Sequence, residues 1–101
     1  MEEETHWVYN GKNTSRWTYS YAWIYYWEEN TGLTAHRCSA CGDVTGKLVG
    51  AHVYKAGILG RRTSRLDRNY YIVPLCYSCN NFNNDYKFKV TSIFVPVPSN
   101  N

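Results

Sequence analysis

The chain has 101 residues, a net charge of +3 and 44% hydrophobic residues, which bounds it to one domain with a limited core. Its acidic start, Met1-Glu2-Glu3-Glu4, is followed by no apolar run, so neither a secretory signal nor a membrane span is expected, and a cytoplasmic protein is. The mild positive charge permits a nucleic-acid partner without demanding one, and the outlier is aromatic content, with ten Tyr and four Trp.

His6-Trp7-Val8-Tyr9 reads as a short strand, and Asn10-Gly11 behind it is a strong two-residue turn signal, because both residue types tolerate positive φ. Further on, Trp17, Tyr19, Tyr21, Trp23, Tyr25 and Trp27 occupy every second position, with Thr18, Ser20, Ala22 and Ile24 between them. A period of two marks a strand, since successive side chains point to opposite faces. A helix would also place Glu28 and Glu29 at the negative end of its dipole. One long strand over 17–27 is therefore predicted, its rings either covering the core or offering bases a stacking platform. Asn30-Thr31-Gly32 is a turn, and residues 33–37 are predicted to return antiparallel as a hairpin partner.

That return leads into the first of two cysteine doublets, Cys38-Ser39-Ala40-Cys41 and Cys76-Tyr77-Ser78-Cys79, which hold all the cysteines of the chain. Each doublet is a tight turn presenting two sulfurs. Zinc binds four ligands tetrahedrally and favours thiolate, so the pair of turns would complete one closed structural site. Two disulfides, or free thiols in a core, are the alternatives. The doublet spacing is that of metal knuckles or redox pairs, and nothing marks the chain as secreted. Residues 42–75 between the doublets exceed the about 15–20 of the compact pattern, so the insert has to be a structured unit. Gly42 fits the left-handed residue that a knuckle needs.

Within the insert, residues 47–53 read as a strand carrying His52. Residues 57–69 hold Arg61, Arg62, Arg65 and Arg68, a basic exposed loop that is either a solvated face or a phosphate clamp. Residues 70–75 read as a strand delivering Cys76. A short helix over 77–85 is predicted although Asn80, Asn81, Asn83 and Asn84 are poor helix formers. Residues 87–95 alternate as a last strand, Pro96 and Pro98 end it, and 99–101 form a tail. His36, two residues before Cys38, reads as a surface residue or an alternate zinc contact.

The order of parts resembles the HNH (His-Me finger, ββα-metal) endonuclease superfamily, in the branch braced by a four-cysteine, treble-clef-like zinc site. The resemblance covers residues 38–85 and rests on Gly50-Ala51-His52-Val53 and on Val73-Pro74-Leu75-Cys76 followed by Cys79-Asn80. It implies a zinc-braced core over 38–85, and with the strands read on either side the expected fold is a single α+β zinc-stabilised domain, with an aromatic β extension over 1–37 and a final strand and tail over 86–101. It also implies roles. His52 matches the general base, Asn69 the residue that holds the loop and orients that base, and Asn80 the ligand of a catalytic Mg2+ or Mn2+. The four cysteines match the structural Zn2+ ligands, and the arginines would grip the phosphate backbone of DNA or RNA. Phosphodiester hydrolysis suits these types, since His titrates near neutrality and a hard cation takes oxygen ligands. One departure stands out: many members carry an acidic residue immediately before the His, and this chain has Ala51. Asp43, Asp67 or Asp85 would have to substitute. The alternative expectation is an inactive zinc module of the same fold, binding nucleic acid or a protein partner, as a phage or mobile-element accessory or inhibitor protein would.

Overall fold

Three of the predicted strands form close to their expected places. The computed structural model describes residues 2–11, 22–56, 70–83 and 85–98. Among these residues the elements are β1 (Glu4–Asn10), α1 (Trp23–Thr31), β2 (Leu48–Lys55), β3 (Tyr70–Cys76), α2 (Tyr77–Asn80), β4 (Phe88–Ser92) and β5 (Val95–Pro96). The strands make one antiparallel sheet in the order β4-β1-β2-β3-β5. The whole is a small α+β unit.

The connection between β4 and β5 dictates the shape of the sheet. These strands lie at opposite edges, yet only Ile93 and Phe94 separate them. Five strands laid flat would put the edges about 19 Å apart. Three residue steps span at most about 11 Å. The sheet therefore curls until its edges approach. Ser39 bridges the gap, its N–H donating to the Pro74 carbonyl of β3 and its carbonyl accepting from the Thr91 N–H of β4. The concave side holds the main core, Val8, Ala51, Val53, Val73, Leu75, Val90 and Phe94, and Cys38 and Cys76 belong to the same buried cluster.

The convex side carries α1, and here the prediction of one strand over 17–27 is corrected. Trp23 to Trp27 are helical. Positions 23, 26 and 27 share one helix face, and Trp27 is buried with Ile72 and Val95 while Trp23 and Tyr26 pack beside them. Tyr25, on another face, is 55% exposed. Aromatic residues at 23, 25, 26 and 27 satisfy both periods, so the alternation by itself was not decisive. Gly50 supplies what the helix needs, because α1 crosses directly over it. The helix ends at Gly32, whose φ of +74° puts it in the left-handed cap position, with its N–H on the Glu28 carbonyl. The Glu28 carboxylate, unfavourably placed for the dipole, accepts the Ala35 N–H at 2.8 Å instead. Residues 33–37 belong to no strand, so the predicted hairpin partner is also corrected. The Trp17, Tyr19 and Tyr21 part of the aromatic run lies outside the described residues.

What directly follows the Asn10-Gly11 turn signal lies outside the described residues. One further expectation changes. The helix predicted over 77–85 stops at Asn80: the Asn81 side chain donates to the Tyr77 carbonyl, and the Asn83 side chain accepts the Asp85 N–H. Asparagine amides compete here for the backbone groups that would have continued the helix.

Candidate metal centre and the surroundings of His52

Both cysteine doublets are held by backbone geometry before any ion is considered. In the first, the Cys38 sulfur accepts the N–H groups of Ala40 at 3.4 Å and Cys41 at 3.5 Å. Gly42 closes the turn with φ +80°, its N–H on the Cys38 carbonyl, as expected for a knuckle. In the second, Cys76 is the N-cap of α2 and Cys79 lies within its single turn. All four thiols are free, the Cys41 and Cys76 sulfurs lie 3.8 Å apart, and the four sulfurs fall within 4.8 Å of one another. A tetrahedron with metal–sulfur bonds of about 2.3 Å has edges of about 3.8 Å. A disulfide would bring two sulfurs to about 2.0 Å. The cluster has the dimensions of a four-sulfur ion site, and it is the only group of three or more His, Cys, Asp or Glu so placed among the described residues.

The thiols are unequal. Burial pushes Cys38 up, but the backbone N–H groups of Cys41, Cys76 and Ala40 outweigh it and bring it down to about 7. For Cys79, burial and the neighbouring sulfurs act together and hold the thiol well above its ordinary range. Cys41 receives help from a backbone hydrogen bond at Asp43, yet the adjacent Cys38 and Cys76 leave it raised. A cation would supply the positive charge that lets all four ionise, so loading releases protons and weakens as pH falls.

His52 stands elsewhere. Its neighbours on β2, Ala51 and Val53, are buried in the concave core, against which Cys79 also packs. Alternation along the strand sends His52 to the convex side. There its ring meets Trp23 edge-on, with centroids 4.9 Å apart and planes at 80°. Burial lowers its pKa to about 4. His52 is thus half-buried under α1, while on the opposite face Cys79 of α2 packs against the main core and its carbonyl accepts from Asn10, the partner of Val53. The expectation that the ring faces the start of that helix is corrected. The two residues that the resemblance paired as base and metal ligand are separated by the sheet.

The remaining expectations divide. Asn69, Arg61, Arg62, Arg65, Arg68 and Asp67 lie outside the described residues. His36 is exposed and is not one of the clustered ligands. Asp43 is engaged by Thr45, through its N–H at 3.0 Å and its hydroxyl at 2.8 Å, and those hydrogen bonds lower its pKa. No family model, no curated protein and no solved structure matches this chain. The HNH likeness therefore stands on the quoted motifs alone.

One residue that matters to the centre was read only as a turn former. Asn10 is 5% exposed, at the end of β1, and its side-chain NH2 donates to the carbonyls of Cys79 at 3.0 Å and Phe82 at 3.1 Å. It latches the second knuckle to the sheet. The clue in the sequence is an Asn after an apolar strand residue in phase with the buried set, here Val8 and Asn10, but a turn signal looks the same.

Proposed function

We propose that this chain is a zinc-braced nucleic-acid-binding module of treble-clef type, in which Cys38, Cys41, Cys76 and Cys79 hold one structural Zn2+ and no hydrolysis takes place. The four-sulfur cluster carries the reading. Its ligands come from a knuckle and from the start of a helix, with the antiparallel pair β2–β3 between them. Sulfur-only ligation suits Zn2+ better than the hard cations of hydrolytic sites. Zinc bound in this way supplies folding energy and leaves no open position for a reactant. The net charge of +3 and the four arginines within 57–69 support a polyanionic partner.

A metal-dependent nuclease is the second reading, favoured by the motif order of His52, Asn69 and Asn80. It asks His52 to take a proton from water at the scissile phosphate, whereas the ring is packed under Trp23 and its low pKa makes it a weak base. It also asks for an acidic ligand at position 51, where Ala stands. The test is incubation of the zinc-loaded protein with plasmid, single-stranded DNA and RNA, with Mg2+ or Mn2+, alongside gel-shift binding and metal analysis. One zinc per chain and binding without cleavage are expected. Metal-dependent nicking that His52→Ala abolishes, with zinc content unchanged, would establish the nuclease instead.

A further inference from the structure

The convex face of the sheet is unevenly covered. Helix α1 packs over β2, β3 and β5, and the β1–β4 end lies beyond these contacts. There Trp7 is 48% exposed. The register sets Trp7 opposite Lys89 and Thr5 opposite Thr91, so these four side chains share the convex face. The ammonium groups of Lys87 and Lys89 lie 5.4 and 5.5 Å from the centre of the Trp7 ring. Neither lysine has a carboxylate partner among the described residues. The nearby strand carboxylate, Glu4, belongs to the other face and is taken by His6 and Lys55. An exposed indole flanked by two cations without a carboxylate partner among the described residues complements a ligand in which a flat ring alternates with negative charge.

We propose that Trp7, Lys87 and Lys89 form a stacking site for single-stranded nucleic acid, with Trp7 taking one base and the lysines the phosphates on either side of it. The proposal rests on the nucleic-acid-binding reading above and names its substrate class. A duplex keeps its base faces occupied by neighbouring pairs, so only a strand with unpaired bases can lay one on the indole. In the free protein the lysines rest against the ring by cation–π attraction. An incoming base displaces them, and their flexible four-carbon stems allow each ammonium to swing out to a phosphate. Thr5 and Thr91, whose hydroxyls lie 2.8 Å apart in a mutual hydrogen bond, leave the floor beside the ring polar but uncharged.

The experiment is fluorescence anisotropy on the zinc-loaded full chain, using a labelled oligothymidylate of about 12 nucleotides, the matching duplex, and poly-glutamate as competitor. The single strand should bind more tightly than the duplex, and poly-glutamate should not displace it. Trp7→Ala should weaken single-strand binding by roughly 5- to 100-fold, while Trp7→Phe retains most of it. Lys87→Gln and Lys89→Gln should each flatten the dependence of log K on log salt by about 0.7. Zinc content of one per chain in every variant shows that the fold persists. Duplex binding as tight as single-strand binding, or Trp7→Ala and both lysine variants binding like wild type, overturns the stacking site and leaves the broader reading standing. Equal competition by poly-glutamate overturns it in favour of an acidic protein partner. A wild-type chain that binds neither strand nor duplex at low salt overturns the broader reading as well.

Discussion

Asn10 and His52 sit on neighbouring strands and face opposite sides of the sheet, and each takes its importance from burial. The Asn10 amide satisfies two carbonyls at the second knuckle. Asn10→Ala would leave both without that donor inside the protein, at a cost of about 1–3 kcal/mol. Asn10→Asp should be worse than the alanine, because a carboxylate would face the same two carbonyls and can only accept. Chemical denaturation of the two variants checks this, and an Asp variant as stable as wild type would mean the latch does not hold in solution. His52 gives a pH signature. The unfolded chain takes up a proton at its ordinary value of 6.5, whereas the folded chain resists until about 4. The stability that the neutral ring contributes is therefore complete above about pH 6.5 and is lost progressively as pH falls towards 4. Thermal midpoints measured from about pH 7 to pH 5 should drop more steeply for wild type than for His52→Gln. Parallel curves would place the ring in solvent.

At the scale of elements, the contact between α1 and β2 is the most sequence-sensitive. A methyl group built on Gly50 would lie 2.5 Å from the Ile24 nitrogen and 2.8 Å from the Trp23 carbonyl oxygen, both of them backbone atoms that no rotamer change can move. Gly50→Ala should therefore push α1 off the sheet and destabilise the fold by about 1–3 kcal/mol or more. It should also release the Trp23 ring from His52. Near-UV circular dichroism together with a denaturation curve reads both effects, and unchanged spectra would show that α1 docks elsewhere. This contact also explains why the aromatic segment was illegible from its alternation. Residues 23–27 fit a strand and a helix alike, and the choice falls to the helix because a Gly on another element makes room for its backbone.

The whole molecule depends on its centre. Cys38 and Cys76 are part of the main core, and Ser39 ties β3 to the edge strand β4. With Zn2+ in the four-thiolate site, as proposed, metal binding and folding become one equilibrium. A strong chelator, or Cys76→Ser, should unfold the domain cooperatively, followed by far-UV circular dichroism with zinc release measured in parallel. A chain that keeps its fold with the metal removed would make the cluster a passenger. Cys41 is exposed, so its sulfur is the one that a chelator or an oxidant meets first.

The doublet spacing alone determined that four sulfurs would meet, because C-x2-C turns are local and zinc chemistry needs no knowledge of the rest of the chain. Short apolar runs likewise marked β2 and β3, whose apolar residues have few other ways to be buried. What only the tertiary structure decided is which side of the sheet each element occupies. His52 lies in a strand by its sequence, but whether its ring joins the helix of Asn80 or the helix of Trp23 depends on parity against two packed layers. In the same way, the two residues between β4 and β5 carry no local sign that they connect opposite edges of one sheet. That constraint is a distance between two strands adjacent in the chain, and it exists only once the three strands between them are paired.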